Sequence, residues 1–432
     1  MPVVLSILIM ILMLSVLTIV HEWGHFICAR IFKVKVVEFS IFMGPKLFQK
    51  TSKKTGTKFT LRAIPLGGYC AFEDDQGDAN APDSLYAQKW YKRAIIFAGG
   101  VTMNFLLAWL ITTFIVGSGY FTTTRLEKVS EDSIAYFVGI REGDSLVKFD
   151  DLITSTGTDV TLAGYGIEDL DKSDEVMHSH YVLTYRRDGS DIKYDISKII
   201  NYKKVTKAVD GTETEGLEID DYSYTVIRTE NGKSTEYVYT AKINSFSEER
   251  DKAFCTVTKT VDGVKEYEGE EAVTAENYCT LANSDFHVVS TWNPFELIGH
   301  AFLEMISMIK SVYVSLWWII TGKIGLNGLA GPIGLTSVVS DVVGAEAGVS
   351  LKIITLVNMA ALISANLGVV NALPIPGLDG SHLLLILIEV ITGGKKLPPK
   401  TQAIISYVGL GLMILLAVFV AGNDIYKLIA GG

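Results

Sequence analysis

This sequence has fewer basic than acidic residues, few cysteines, and no charged residue near its beginning. Lys and Arg number 38 against 48 Asp and Glu, which gives a formal net charge of −10. This balance argues against nucleic acid as a partner, because a nucleic-acid-binding surface needs excess positive charge. Four cysteines in 432 residues are too few for a disulfide scaffold. Residues 3–20 contain no charge at all, which predicts a helix inside a membrane.

The remaining composition mixes apolar and charged segments. Hydrophobic residues make up 49% and charged residues 20% of the chain, which fits a membrane protein with a substantial water-exposed part. A bilayer core of about 30 Å requires roughly 20 apolar residues in a spanning helix. Four segments meet this requirement: residues 3–31, 94–120, 351–372 and 404–421.

A fifth apolar segment, residues 295–320, is interrupted by charged and polar side chains. These are Glu296, His300, Glu304 and Lys310. We predict an amphipathic helix on the membrane surface here, and a spanning helix is the competing interpretation.

The distribution of charge predicts which side of the membrane each loop faces. Residues 30–93 hold 12 Lys and Arg against 6 Asp and Glu, and the loop after the third span carries Lys395, Lys396 and Lys400. Both loops are predicted to be cytoplasmic, because positive charge accumulates on that side. Residues 121–290 hold 34 acidic and 19 basic residues and are predicted to lie outside.

The first cytoplasmic loop and the outer segment both contain signals for β-structure. Residues 36–48 and 58–64 are β-prone and flank a turn-like Lys53-Lys54-Thr55-Gly56, which predicts a cytoplasmic hairpin. The outer segment has hairpin turns at Asp188-Gly189, Asn231-Gly232 and Asp262-Gly263. Cys255 and Cys279 also lie there, and a disulfide and two free thiols are both compatible with an outside location.

The strongest chemical signal is His21-Glu22-Trp-Gly-His25 at the end of the first apolar run. It has the H-E-x-x-H pattern of zinc peptidases, in which two histidines one helical turn apart reach the same metal. Glu22 lies beside them and can accept a proton from metal-bound water. An accidental match with buried structural histidines is the alternative. Ionisable residues inside a span are costly and usually functional, so we expect a zinc hydrolase.

A catalytic zinc site generally has three protein ligands. The third is expected in Asn371-Ala-Leu-Pro-Ile-Pro-Gly-Leu-Asp379-Gly380, at the end of the third span. Pro374 and Pro376 must break the helix there, and broken backbone at membrane depth requires a cavity or surrounding protein. The Asp379 carboxylate is therefore a plausible ligand.

Taken together, His21-Glu-x-x-His25 and Asn371-x-x-Pro-x-Pro-x-Leu-Asp379-Gly380 resemble the paired signatures of site-2 proteases, most closely their bacterial RseP-like group. The resemblance covers nearly the whole chain. It implies an α-helical polytopic membrane protein with about four transmembrane helices, a membrane-associated β-hairpin and an extracytoplasmic β-rich PDZ-like domain. Two positions depart from the family pattern: Gly100 stands where Pro is usual, and Ser381 where Gly is usual.

The resemblance also implies roles for individual residues. His21, His25 and Asp379 would bind Zn²⁺, and Glu22 would be the general base. Asn371 would hold substrate or the developing oxyanion. The hairpin would bind an extended substrate by β-augmentation. The residues expected to do so are Phe39, Ser40, Ile41 and Phe42, with residues 58–61 as further candidates.

These expectations combine into one organisation and one function. The predicted segments are residues 1–32 (first span), 33–93 (cytoplasmic loop), 94–120 (second span), 121–290 (PDZ-like region), 291–350 (surface segment), 351–392 (third span) and 393–432 (cytoplasmic loop and fourth span). The predicted function is proteolysis within single-span membrane proteins or signal-peptide remnants, in a bacterial cytoplasmic membrane with the active site toward the cytoplasm. The alternative is a catalytically idle scaffold that binds partners through the PDZ-like region.

Overall fold

The computed structural model describes residues 2–72, 81–165, 168–172, 176–209, 212–247, 252–274, 281, 284–323 and 331–430. The chain divides into two compact units. The first comprises Met1–Gly117 and Trp292–Gly432, and the second is Ser118–Thr291.

In chain order, the elements of the described residues begin with α1 (Pro2–Ile31), β1 (Val36–Thr51), β2 (Lys58–Phe72) and α2 (Trp90–Gly117). The second unit contains β3 (Phe121–Val129), α3 (Ile134–Phe137), β4 (Ser145–Phe149), β5 (Leu152–Ile153), α4 (Gly157–Tyr165), β6 (Glu168–Lys172), β7 (Val176–Arg187), β8 (Ser190–Val209), β9 (Thr212–Glu230), β10 (Lys233–Phe246), β11 (Lys252–Val261), β12 (Val264–Thr274) and β13 (Ser284–Val289). The chain continues with α5 (Pro294–Ile320), α6 (Pro332–Gly344), α7 (Val349–Ala372), α8 (Asp379–Ile391) and α9 (Pro399–Ala430).

The long apolar segments of the first unit are helices. Helices satisfy their own backbone hydrogen bonds, which a lipid environment requires. In the described part of the chain, five are long and apolar enough to cross a membrane: Val4–Ile31, Trp90–Gly117, Pro294–Ile320, Val349–Ala372 and Ile404–Asp424. The four predicted spans are therefore confirmed as helices, and the protein is a polytopic membrane protein.

The helix beyond the four predicted spans is α5 (Pro294–Ile320), which we predicted as a surface helix. It begins with the Asn293 side chain accepting a hydrogen bond from the Phe295 backbone, and Pro294 occupies the first turn. Its buried Met305 and Met308 belong to one apolar cluster with Ala108 of α2. One face of α5 is thus covered by α2. That it crosses the bilayer, the competing interpretation, stays a prediction.

The predicted hairpin after α1 is confirmed, but its two strands are longer and more bent than expected. Residues 38–41 of β1 pair with residues 58–61 on one side and with residues 68–71 on the other, while residues 46–51 pair with residues 58–62. The bends fall at Phe42, Gly44 and Gly67, which have positive φ angles of 68°, 81° and 66°. The two strands therefore form four adjacent segments, in the order 46–51, 58–62, 38–41 and 68–72.

This arrangement corrects one expectation about the hairpin. Phe39, Ser40 and Ile41 pair on both sides, so the expected free edge is not at these residues. Among the described strands, the outer segments are residues 46–51 and 68–72. The second of these lies against α1.

The second unit is built around an antiparallel sheet. Its strand order is β12-β11-β10-β9-β8-β7-β4-β3-β13, with β5 beside β4 and β6 beside β7. The three predicted hairpin turns are confirmed: Asp188-Gly189 joins β7 to β8, Asn231-Gly232 joins β9 to β10, and Asp262-Gly263 joins β11 to β12. All six turn residues have positive φ angles, which two-residue hairpin loops of this kind require. That this unit contains a PDZ domain stays a prediction.

Cys255 lies in β11 and is a buried free thiol in the core of this unit. Burial raises the pKa of its thiol to about 11, and the nearby Glu271 carboxylate adds to the effect. Cys279, its potential disulfide partner, lies outside the described residues.

Candidate active site

The two histidines of the motif face each other on one side of α1. They are one helical turn apart, so their side chains project from the same face. Both are 6% exposed, and their Nε2 atoms are 3.2 Å apart. The sequence expectation that both imidazoles reach one point is met.

Asp379, the third predicted ligand, is positioned by the break between α7 and α8. The helix α7 ends at Ala372, and Gly377 turns the chain with a φ of +94°. Asp379 is the first residue of α8. At Gly380 a Cβ would lie 2.2 Å from the carbonyl oxygen of Leu373, so only glycine lets the chain double back this tightly.

The Asp379 carboxylate completes a cluster of three ligand atoms. Its Oδ2 lies 3.0 Å from His21 Nε2 and 3.2 Å from His25 Nε2. Zinc bonds of about 2.0–2.2 Å at tetrahedral angles place ligand atoms roughly 3.3–3.5 Å apart. The spacing of the three atoms is therefore close to what a zinc ion requires.

The position of the proton on the His25 ring also agrees with a zinc ion at this cluster. Its Nδ1 lies 2.8 Å from the carbonyl oxygen of Ile96. A carbonyl can only accept, so Nδ1 carries the proton, and Nε2 of the neutral ring carries the lone pair. This lone pair faces the Asp379 carboxylate. A neutral imidazole and a carboxylate are both acceptors, so their contact needs a proton or a metal ion between them. Two imidazoles with one carboxylate form a donor set that suits zinc.

Glu22 lies next to this cluster and contacts the sheet. Its Oε2 accepts a hydrogen bond of 3.0 Å from the backbone N–H of Cys70, in segment 68–72. The carboxylate is therefore oriented by the sheet segment nearest to α1. This places a proton acceptor beside the ligand cluster, as the sequence predicts.

Comparison with known proteins agrees with this geometry. The sequence model of Peptidase family M50 matches residues 9–416. The chain belongs to peptidase family M50. It is therefore a zinc-dependent metallopeptidase, and the resemblance to site-2 proteases, the enzyme class and the zinc cofactor predicted from the sequence are confirmed.

Three curated relatives of this M50 peptidase align over nearly their whole length. A protein of Clostridium acetobutylicum named as a zinc metalloprotease is 29% identical over 97% of both chains. The regulator of sigma-E protease RseP of Escherichia coli is 28% identical over 96% of this chain and 97% of its own. A protein of Fusobacterium nucleatum, also named as a zinc metalloprotease, is 26% identical over 98% and 99%.

The helix α2 supports the M50 site in ways that the sequence reasoning missed. Besides the Ile96 carbonyl at His25, the Asn104 side-chain amide lies 3.0 Å from His21 Nδ1. Asn104 is fully buried. Its only signal in the sequence is that it is a polar amide inside an apolar span.

The helix α8 is also fastened to α2. Arg93 forms an ion pair with Glu389, and both side chains are buried. The ring of His382 stacks on that of Phe97, with centroids 4.4 Å apart. Since Asp379 begins α8, these contacts fix the helix that carries it.

The remaining predicted residues are placed as follows. Asn371 is half-buried in the last turn of α7. Phe39 is buried and its ring packs on Phe26 of α1 at 5.3 Å, and Ser40 is fully buried. The roles of Asn371 and of residues 39–42 stay predictions.

Proposed function

We propose that this protein is an intramembrane endopeptidase that cuts the transmembrane segments of single-span membrane proteins, as part of regulated intramembrane proteolysis. His21, His25 and Asp379 would hold Zn²⁺, and Glu22 would act as the general base. One observation carries the proposal: the three ligand atoms meet, with Glu22 beside them, between helices that are apolar enough to cross a membrane.

The residues around the site suggest how hydrolysis proceeds. When bound, zinc supplies an acidified water, with a pKa lowered toward about 7, and polarises the scissile carbonyl. Glu22 takes a proton from the attacking water and later gives it to the leaving amine. The Asn371 side chain donates a hydrogen bond to the negative charge that develops on the carbonyl oxygen.

A helical substrate has its carbonyl groups bound within the helix, so it must unwind before it is cut. Segment 68–72 is suited to hold the extended chain by β-augmentation. It is an outer segment of the sheet, and its Cys70 N–H already bonds the Glu22 carboxylate. A substrate carbonyl that replaced Glu22 at Cys70 would free the base and bring the peptide to the ligand cluster. Phe39, Ser40, Ile41 and Phe42 would then support this segment from its paired side and contact substrate side chains.

The proposed orientation in the membrane follows from the distribution of charge, and the proposed substrate classes follow from the relatives. The basic loops face the cytoplasm of a bacterial cell, which places the active site toward that side of its membrane. The acidic, PDZ-like second unit faces outward, where it would exclude substrates with large ectodomains. Anti-sigma factors and signal-peptide remnants are the proposed substrate classes, since the Escherichia coli relative is named as a regulator of sigma-E protease.

The test is cleavage of a tagged single-span peptide in detergent or lipid. We expect the native chain to cut within the span, and Glu22→Gln and Asp379→Asn to be inactive. Glu346→Gln and Asp341→Asn make the same chemical changes at exposed positions and should remain active. Glu22→Gln should keep its zinc, whereas Asp379→Asn should bind it less tightly.

A result in which all variants cut equally would refute the site assignment. If neither the native chain nor any variant cuts, while the native chain binds zinc, the idle scaffold gains support. Binding of partner peptides to the second unit would then be the next measurement.

A further inference from the structure

We infer that Asn104 is a positioning residue for the metal: its side-chain oxygen accepts the Nδ1 proton of His21 and thereby presents the Nε2 lone pair to zinc. The inference rests on the proposed ligand set. It assigns a role to a residue on α2 that is neither a ligand nor the base.

The contact that carries this inference is a buried one. Asn104 is 0% exposed, and its side-chain nitrogen Nδ2 lies 3.0 Å from His21 Nδ1. On the other side of the same ring, Nε2 faces Asp379 Oδ2 at 3.0 Å. Both ring nitrogens of His21 thus have fixed neighbours, and the partner of Nδ1 is the Asn104 side chain.

The tautomer of His21 decides whether it can bind a metal. A neutral imidazole has one N–H and one lone pair. If the Asn104 NH₂ group donated to Nδ1, the proton would sit on Nε2 and prevent ligation. Ligation through Nε2 therefore requires the proton on Nδ1 and an acceptor opposite it.

The Asn104 amide can supply that acceptor without moving its backbone. Oxygen and nitrogen of a side-chain amide have nearly the same shape and exchange places on a half-turn. Among the described residues, Asn104 Oδ1 is buried without a hydrogen-bond partner, so the half-turn breaks no bond of that oxygen. The Asn104 amide can therefore donate to His21 Nδ1 before metal binding and accept its proton afterwards.

His25 provides an internal comparison for the inference. Its Nδ1 is already held by an acceptor, the main-chain carbonyl of Ile96. Ile96 and Asn104 both belong to α2, so one helix would set the tautomers of both histidines. Only the acceptor for His21 is a side chain, and only this one can be removed by substitution.

The backbone of Asn104 is held in place by a hydrogen bond from α7. The Ser364 hydroxyl of α7 donates to the Asn104 backbone carbonyl at 2.8 Å. The alternative role is packing, in which a small amide fills space between spans. The two roles differ in what replaces Asn104: a tautomer-setting acceptor is replaced by Asp, whereas a packing residue is replaced better by Leu than by a buried charge.

The experiment measures zinc affinity by chelator competition in detergent, together with the visible spectrum of the Co²⁺-loaded protein. The variants are Asn104→Leu, Asn104→Asp and His21→Ala. The control is Thr112→Val, which removes a buried polar group from the same helix at a position bonded to Ala301. Loss of a hydrogen-bonding partner behind a ligand typically weakens metal affinity roughly 10–100-fold.

We expect that weakening for Asn104→Leu, an altered Co²⁺ spectrum, and near-native affinity for Asn104→Asp and Thr112→Val. Native affinity in Asn104→Leu would overturn the inference, and so would weaker binding by the Asp than by the Leu variant. If Asn104→Leu does not fold, the Asp variant alone decides, because loss of its zinc contradicts an acceptor role. If His21→Ala keeps full affinity, the proposed ligand set itself has failed.

Discussion

The contact between α1 and α2 at Gly24 offers the sharpest test of how the site is built. A Cβ on Gly24 would lie 2.2 Å from the carbonyl oxygen of Gly99 and 2.6 Å from its carbon. Carbon and oxygen normally approach to about 3.3 Å, so Gly24→Ala must push the two helices apart by about 1 Å. The neighbour is helix backbone and has no rotamer into which it can move.

The cost of that displacement can be worked out from general magnitudes. Overpacking costs about 1–3 kcal/mol, while alanine gains up to about 1 kcal/mol over glycine in helix propensity. With the full gain in propensity, these opposing values leave a net loss of about 0–2 kcal/mol, and a clash with backbone places Gly24→Ala toward the upper end. Zinc affinity should respond further, because Gly24 precedes His25 and the 2.8 Å bond from His25 to Ile96 would be stretched.

The assay combines thermal unfolding in detergent with chelator competition for zinc. The matched control is Gly411→Ala in α9, where a Cβ would meet nothing within 4 Å. The control should be as stable as the native chain or slightly more so. If Gly24→Ala matches the control in both stability and zinc affinity, the close approach of α1 and α2 is not what positions the histidines.

Two further predictions concern ion pairs. Arg93→Met should destabilise the protein by about 3–5 kcal/mol, because Glu389 is left charged and buried, and adding Glu389→Leu should recover most of that loss. A double-mutant cycle of unfolding free energies measures the recovery. Additive losses in the two single variants would contradict the prediction. In the sheet, burial by itself raises the pKa of Glu38, but its hydrogen bonds, one from Arg62 at 2.9 Å, hold that pKa below 4.5. Stability from this carboxylate is therefore present above pH 4.5 and lost as the pH falls through the lower folded pKa. Native protein should lose more thermal stability than Glu38→Gln on acidification, and equal losses would refute the assignment.

The features predicted correctly from the sequence are those that local chemistry specifies. Asp188-Gly189 and the two turns like it adopt positive φ angles that few other residue pairs allow. The long apolar helices follow from composition, because an uninterrupted apolar run in lipid has no alternative to a helix. His21 and His25 are one helical turn apart, so their spacing predicts that the two side chains share one face of α1. That they bind zinc with Asp379 stays a prediction.

The features that were missed depend on contacts between distant parts of the chain. The pairing of Ser40 with both Tyr69 and Thr60 arises because positive-φ bends at Phe42 and Gly67 fold two strands into four segments. Nothing in a β-prone run specifies where such bends fall, so the free edge was expected at the wrong segment. Asn104 was given no role for a related reason: spacing within α2 does not reveal which residue of α1 lies opposite.

The contacts of α2 show that the site depends on helix packing as well as on its motifs. Between helices in lipid there is little hydrophobic driving force, so small residues and polar contacts decide how they associate. The helix α2 supplies both: Gly99 allows α1 to approach, and Arg93 binds Glu389 of the helix that carries Asp379. The same helix faces both histidines with Ile96 and Asn104. A substitution at Gly99 or Arg93, which leaves the proposed ligands and base unchanged, should therefore weaken zinc binding, and the loss should follow the change in helix spacing.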